Sequence, residues 1–359
     1  MFSQVLIIPC AGLSKRYHSP KPKYLWTNPN SSEPLLWTAI ESLYEEYESI
    51  HFIFNREHEQ LYSSRLIVDQ LASHFNAKNL YSHIIPSLTN GPAETVACVI
   101  PEISTTDFSF TIKDCDSIIK LPSNNISPCS NFIAYADAHR ISINALEAKS
   151  SLSYDNNRNV IHVAEKVIYT PNVSVGMYGF ESSDAYCDAF NEILNHYKNR
   201  PTEVFASHVI EIMIKNGHTF SATEVESFVD LGTKTDYIQL QESFRTIFCD
   251  VDGVIFQNRG KYGALTWYDD PVPLEENIKI LKNLVDRGNS LVLTTSRPEA
   301  LRDMTHQQLI SAGLSYNQLI MGLNHAPRLL INDFADSNPY PSASSISIPR
   351  NSSLASYLS

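Results

Sequence analysis

The chain has 359 residues and a formal charge of −12 at neutral pH. That length suggests two domains, at roughly 100–200 residues each. An acidic chain with ordinary apolar content and no basic run of five or more residues excludes a nucleic-acid footprint, because phosphate backbones demand a basic face.

No apolar stretch approaches the roughly 20 residues that a bilayer-spanning helix needs, so no membrane insertion is expected. Val5-Leu6-Ile7-Ile8 is too short for a signal peptide and runs straight into a turn. The six cysteines (Cys10, Cys98, Cys115, Cys129, Cys187 and Cys249) form no C-x-x-C pair, and several lie in apolar runs. They are expected as reduced, buried thiols in a cytoplasmic protein. The histidines, His139 and His325 among them, lack metal-ligand spacing and are expected on the surface or in the core.

Apolar runs alternate with helical patterns for most of the length, which predicts α/β architecture. In chain order the first block reads as strand Gln4–Ile8, helix Glu33–Glu46, strand Ser49–Phe54, helix Glu94–Ile100 and strands Phe108–Ile112, Asn131–Ala136 and Val173–Phe180. Helices Ser183–Tyr197 and Val204–Asn216 and strand Val225–Asp230 complete it. Asp236–Ser243 reads as a connector, giving domains at 1–242 and 243–359. The second block reads as strand Thr246–Ile255, a helix near Leu274–Arg287, strand Ser290–Thr295, a helix near Glu299–Ala312 and strand Leu329–Asn332. The Ser- and Pro-rich stretch Tyr340–Ser347 is expected as loop.

The first strand leads into Pro9-Cys10-Ala11-Gly12-Leu13-Ser14-Lys15-Arg16, and Pro20-Lys21-Pro22-Lys23-Tyr24-Leu25 follows. Small residues after a strand let backbone N–H groups approach phosphates closely. Arg16 and Lys23 add positive charge for a triphosphate, although Lys15, Lys21 and Lys23 taken alone would also fit a solvated basic cluster. Phe110-Thr111-Ile112-Lys113-Asp114-Cys115-Asp116 ends a strand in carboxylates. With these motifs the first block resembles the sugar-nucleotidyltransferases, whose signature is close to A-G-x-G-S-R followed by P-K. It looks most like the cytidylyl- and uridylyltransferase-like members of bacterial capsule and surface-polysaccharide pathways. Ser14 stands where many members have a second glycine, and a serine fits a tight turn while its φ is negative.

The resemblance implies a mixed sheet with flanking helices and a role for each matching residue. Ala11, Gly12, Leu13 and Ser14 would bind the nucleotide, as would Gly91 and Glu94 in Gly91-Pro92-Ala93-Glu94-Thr95-Val96. Asp116, with Asp114 as alternate, and Asp230 of Val229-Asp230-Leu231-Gly232-Thr233 would hold Mg²⁺. Glu165-Lys166 would bind the acceptor, with Lys166 on its phosphate; an ordinary exposed pair would read the same in sequence. Lys23 and Arg16 would stabilise departing pyrophosphate, with CTP favoured as donor and UTP possible.

In the second block, Thr246-Ile247-Phe248-Cys249-Asp250-Val251-Asp252-Gly253 sets two carboxylates at i and i+2, on one face of a strand end. Like charges that close need a cation or a shared proton. Thr294-Thr295-Ser296-Arg297 supplies hydroxyls at a second strand tip, and Arg328 and Asp333 flank a third. Together they can handle a phosphate ester. About residues 245 to 351 resemble the haloacid dehalogenase superfamily of phosphatases, implying a Rossmann-like domain. Carried over, Asp250 would be the nucleophile and Asp252 the proton-handling acid and base. Thr295, or Thr294, would hold the phosphoryl group. Arg328 stands where the family usually has lysine. Asp333, Asp250 and Asp252 are the metal candidates, with Asp336 assisting. Only about 17 residues separate Phe256 from the next helix, too few for a large cap domain.

The expectation is therefore a bifunctional enzyme. It would transfer a nucleotidyl group to a small phosphorylated sugar or alcohol and hydrolyse a phosphate monoester at another stage of the pathway. One alternative is a glycosyltransferase using Asp114-Cys115-Asp116 as a metal-binding D-x-D; Arg16 and Lys23 argue against it, since sugar donors lack a γ-phosphate. Another is that one domain is a non-catalytic regulator. The acceptor's identity and the oligomeric state stay open.

Overall fold

A computed structural model of the chain describes residues 5–29, 33–77, 79–122, 129–141, 146–196, 203–259, 267–268, 270–333 and 342–358. The chain divides into two compact units, Met1–Ile238 and Gln239–Ser359.

The strands of unit 1 are β1 (Val5–Pro9), β2 (Ser49–Asn55), β3 (Leu80–Ile85), β4 (Phe110–Lys113), β5 (Ser117–Lys120), β6 (Phe132–Asp137), β7 (Ser151–Tyr154), β8 (Val160–Ala164), β9 (Asn172–Phe180), β10 (Ser221–Glu224) and β11 (Ser227–Asp230). Its helices are α1 (Leu35–Thr38), α2 (Arg56–Tyr62), α3 (Ser64–His74), α4 (Pro92–Ile103), α5 (Ser183–His196) and α6 (Ala206–Lys215). Helix α7 (Lys234–Glu242) carries the chain across the division, so the expected connector is helical.

Among the described residues nine strands form one mixed sheet, ordered β10-β6-β9-β4-β1-β2-β3, with β7 and β8 attached beside β9. Strands β4, β1, β2 and β3 run parallel, and β9 lies antiparallel to both β4 and β6. Strands β5 and β11 pair in a separate antiparallel ribbon. Strand β1 shows why an unbroken apolar run sits mid-sheet. Successive side chains point to opposite faces: Val5 and Ile7 enter one core with Val96, Val99 and Ile210, while Leu6 and Ile8 enter the other with Trp37, Phe54 and Val68. Both faces are covered, so no polar position alternates in. The parallel strands therefore deliver their C-terminal turns to one edge, where such sheets bind ligands.

Most expected strands form within two residues of their expected ends. Two elements differ in extent. The helix expected over 33–46 is broken into α1 and a single 3-10 turn at Tyr44–Glu46. The strand expected over 246–255 stops at Asp250, and Gly253 turns the chain with φ +102°. Elements without a sequence forecast are short or half-exposed, such as β3 at the sheet edge with its run of Tyr81, Ser82 and His83. The cysteines are free thiols; Cys10, Cys115 and Cys249 are buried, but Cys98 is exposed. No helix among the described residues is long and apolar enough to cross a membrane.

Unit 2 contains three parallel strands, β12 (Thr246–Asp250), β13 (Ser290–Thr294) and β14 (Gln318–Ile320), with helices α8 (Glu275–Asp286) and α9 (Arg302–Ser311). Cys249, Val251, Leu281, Leu291, Leu293 and Leu309 lie in its core. The strand expected at Leu329–Asn332 does not form. The place beside β13 belongs to the three-residue β14, and Leu329, Leu330 and Ile331 are 83%, 55% and 83% exposed. An apolar run makes a strand only where a neighbour accepts its backbone hydrogen bonds. Within 340–347, residues 342–347 are loop as expected; Tyr340 and Pro341, like Asp336, lie outside the described residues. Fully buried Leu293 should cost about 2–5 kcal/mol as Leu293→Ala. Exposed Ile331→Ala should stay within about 0.5 kcal/mol in the same urea titration of the full chain.

Candidate active site

The turn after β1 is held from below and from ahead. Asn55, at the end of β2, donates through Nδ2 to the Ala11 carbonyl at 2.7 Å. Ser14 takes a left-handed φ of +50°, not the negative φ expected of it. That conformation costs a non-glycine residue roughly 1–2 kcal/mol, and here the Ser14 Oγ accepts the Lys23 backbone N–H at 3.0 Å. Gly12 and Leu13 are exposed beside it. Tyr17, next to Arg16, is buried and donates its hydroxyl to the Leu231 carbonyl at 2.5 Å. Tyr237 likewise reaches the Thr27 carbonyl at 2.6 Å, and its ring meets Trp26 edge-on. These two phenols tie the β1 turn to the loop after β11 and the segment after Lys23 to α7.

Four charged groups meet there. The Lys23 ammonium is paired with the Asp116 carboxylate, and the Lys149 ammonium lies 2.9 Å from Asp230 Oδ2. A Cβ placed on Gly232 would sit 3.1 Å from Asp230 Oδ1, 3.3 Å from Asp116 Oδ2 and 3.5 Å from Arg16 Nη1. The glycine leaves open the point where both carboxylates and Arg16 converge. Burial alone would raise the Asp116 carboxyl, but Lys23 and Lys149 pull it below its ordinary value. Burial would lower the Lys23 ammonium, and Asp116 more than offsets this, holding it above its usual range. Asp230 is raised, first by burial. Its Oδ2 is buried, and beyond the Lys149 ammonium at 2.9 Å no group among the described residues holds that oxygen. No group of three or more His, Cys, Asp or Glu side chains gathers among the described residues. Two carboxylates, one under-satisfied, facing an open point nevertheless fit Mg²⁺, which binds through one or two carboxylates plus substrate phosphates.

Asp114 stands one turn position away. Burial and the Asp116 charge push its carboxyl up to about 6. Gly176 has φ +78°, and a Cβ there would lie 2.3 Å from Asp114 Oδ2. The β4–β5 turn itself rests on Lys113, fully buried, whose ammonium donates to the Asp114 and Ser117 carbonyls at 2.9 and 2.6 Å and to Ser117 Oγ at 3.2 Å. Burial pulls that ammonium down to about 8.

A cleft of about 100 Å³ opens beside these groups, walled by Lys149, Ser150, Glu165, Ser174, Tyr178 and Phe205. Glu165 Oε2 accepts from Ser150 Oγ at 2.5 Å and Ser207 Oγ at 2.6 Å. Glu165 thus lines the cleft, held by two serine hydroxyls. Lys166 does not: its ammonium is 4.2 Å over the Phe205 ring and 3.6 Å from Glu203. At the turn after β8, Lys166 takes φ +55°, and its side chain leaves the cleft that Glu165 enters. Gly91 also differs from its assigned role. A Cβ there would be 2.5 Å from the Val204 carbonyl oxygen, so the glycine serves a backbone crossing that also joins Val204 N–H to the Asn90 carbonyl at 2.6 Å. Glu94 accepts the Asn90 N–H at 2.5 Å, capping α4 from its own first turn. Lys149 had no sequence signal beyond its charge; it follows a 3-10 turn that no pattern marks.

In unit 2, Asp250 ends β12 in register with Thr294 of β13, and Arg328 Nη2 is 4.0 Å from Asp250 Oδ1. Asp252 differs from its expected proton-handling and metal roles. Arg297, fully buried, donates through Nη2 to Asp252 Oδ1 at 2.7 Å and through Nε to Oδ2 at 2.9 Å. Gln308 and Thr305 hold the same guanidinium at 2.6 and 3.3 Å. With both oxygens engaged, Asp252 serves as the counter-ion of a buried arginine. Thr295 is buried within this knot, accepting the Arg297 N–H at 3.1 Å, which leaves Thr294 as the hydroxyl beside Asp250. Asp333 is exposed, and no third carboxylate joins Asp250 and Asp252 in a metal-sized cluster among the described residues. Arg297 was legible only as the residue following the strand-tip hydroxyls.

No protein-family profile matches the chain, and no curated protein matches it in sequence. Solved structures do match. The nucleoside-diphosphate-sugar pyrophosphorylase of Vibrio cholerae RC9 superposes with a TM-score of 0.56 at 18% identity, over 66% of this chain and 99% of that one. The first unit has the nucleotidyltransferase fold. The inositol-1-phosphate CTP transferase of T. maritima gives 0.50 at 11% identity over 67% of this chain and 96% of its own. A UDP-glucose pyrophosphorylase complexed with UDP-glucose gives 0.52 at 14%, over 67% and 97%. At such identities the nucleotidyltransferase likeness speaks for the fold, and the chemistry rests on the residues above. Within that fold, Gly176→Ala should displace the Asp114 carboxylate and cost more than about 1 kcal/mol, since both the positive φ and the contact oppose a side chain. Chemical unfolding of the full chain checks it; an unchanged midpoint would contradict the packing.

Proposed function

We propose that unit 1 transfers a nucleotidyl group from a nucleoside triphosphate to a small phosphorylated sugar or alcohol, releasing pyrophosphate. The observation that carries this reading is the convergence of Asp116, Asp230 and Arg16 on one point at Gly232, with Lys23 paired to Asp116. An oxygen of the acceptor's phosphate attacks the α-phosphorus in line; that P–O bond forms as the bond to the bridging oxygen of pyrophosphate breaks. Positioning and charge neutralisation supply the rate. Arg16 and Lys23 face the departing pyrophosphate, and the N–H groups of Ala11 to Ser14 receive the triphosphate. Mg²⁺ held by Asp116 and Asp230 would neutralise charge on the α-phosphate. Glu165, backed by Ser150 and Ser207, receives acceptor hydroxyls. CTP is favoured over UTP on the motif resemblance.

For unit 2 the reading is Mg²⁺-dependent phosphate-monoester hydrolysis with Asp250 as nucleophile, supported by Thr294 and Arg328 beside it. A second reading, a phosphate-sensing module without turnover, is favoured by the bidentate Arg297–Asp252 pair, which leaves the proton-handling role unfilled.

A matrix of nucleoside triphosphates against phosphorylated sugars and alcohols, reading pyrophosphate and free phosphate separately, tests both units. Lys23→Ala should lower pyrophosphate release about 10²-fold or more; unchanged turnover would remove Lys23 from the site. Asp250→Asn should abolish free-phosphate release and leave pyrophosphate release intact. A wild-type chain inert toward a broad ester panel would favour the sensing module.

A further inference from the structure

We infer that Lys149, not Lys166, is the cation that receives the acceptor's phosphate in unit 1, and that without ligands it is stored on Asp230. The inference rests on the nucleotidyl-transfer reading. In-line attack requires the acceptor's phosphate to lie against the α-phosphate, next to the carboxylates that would hold the metal. Among the lysines near the cleft, two reach those carboxylates: Lys23 on Asp116, and Lys149 at 2.9 Å from Asp230. Lys23 belongs to the segment facing the triphosphate, which leaves Lys149.

The surroundings of Lys149 agree. Its side chain is 15% exposed, lies 5.3 Å over the Phe228 ring, and walls the same cleft as Glu165. Lys166 is 47% exposed, turned toward Glu203 over the Phe205 ring, and does not wall the cleft. The Lys149–Asp230 contact is a 2.9 Å ion pair, and among the described residues no other group holds Asp230 Oδ2. A lysine passed from one anion to another keeps a partner throughout, so the exchange strands no buried charge. A divalent ion on Asp230 would cancel the attraction that keeps Lys149 there and free it for the acceptor. The lysine thus neutralises Asp230 and, once displaced by a metal there, selects for a phosphorylated acceptor.

Two measurements on the full chain test this. Steady-state kinetics with the acceptor found in the substrate matrix should give Lys149→Met an acceptor KM raised about 10²-fold, with the triphosphate KM within about twofold. Lys149→Arg should recover part of the loss, and Lys166→Met should resemble wild type. Calorimetric titration with Mn²⁺, without substrates, should show binding about 10-fold tighter in Lys149→Met, because the competing ammonium is gone. Asp230→Asn identifies which Mn²⁺ event belongs to this site. A raised acceptor KM in Lys166→Met but not in Lys149→Met would overturn the assignment. Mn²⁺ affinity unchanged or weakened in Lys149→Met would overturn the storage on Asp230. A wild-type chain that releases no pyrophosphate with any pair would defeat nucleotidyl transfer itself, and the Mn²⁺ titration would still decide the exchange.

Discussion

Two buried carboxylates aimed at one point are the constraint around which unit 1 is built. Asp116 comes from the β4–β5 turn and Asp230 from the end of β11, and side by side they would repel each other. Each is held instead by its own lysine. Removing one partner of such a pair strands the other charge, at a cost of about 3–5 kcal/mol. The neighbouring features serve this arrangement. Lys113 fixes the turn that carries Asp114 and Asp116, Gly232 keeps the meeting point open, and Tyr17 anchors the loop that carries Asp230 to the turn that carries Arg16.

Unit 2 handles a similar problem differently. Asp250 and Asp252 leave the end of one strand two residues apart, but their environments diverge. Asp252 is drawn inward by the buried fork of Arg297, and Asp250 faces outward toward Arg328. A close pair in sequence has become one interior structural charge and one exposed candidate nucleophile. The apolar run at Leu329–Ile331, exposed beside Arg328, is the other unusual feature of this unit.

Much of the fold was legible because its central strands are covered on both faces. Residues such as Leu6 and Ile7 have no polar neighbour to dilute the signal, and the turn that follows them carries a site motif. Edge and short strands such as β3 and β14 were not legible, since half their side chains are polar or they hold only three residues. Leu329–Asn332 erred the other way: apolar content marks a segment that could pair, and pairing depends on a neighbour that sequence does not specify. Lys23, Asp116, Asp230 and Glu165, gathered at the candidate site, were visible in the sequence as motif residues. Lys149 was not, because it is brought in by tertiary structure from a turn without pattern. Lys166 and Glu165 are neighbours in sequence but part at their turn, because adjacency in sequence says little about which way a side chain leaves a turn.

Ser14 has a further consequence. A glycine there would enter the left-handed turn without strain but would leave the loop free to sample many shapes. The serine accepts the strain and, through its hydroxyl, bonds the turn after β1 to the backbone of Lys23. The two ends of the loop after β1 are therefore fastened to each other by the chain itself. Less conformational freedom remains to be lost on binding, and a rigid loop discriminates against ligands that would need it to reshape.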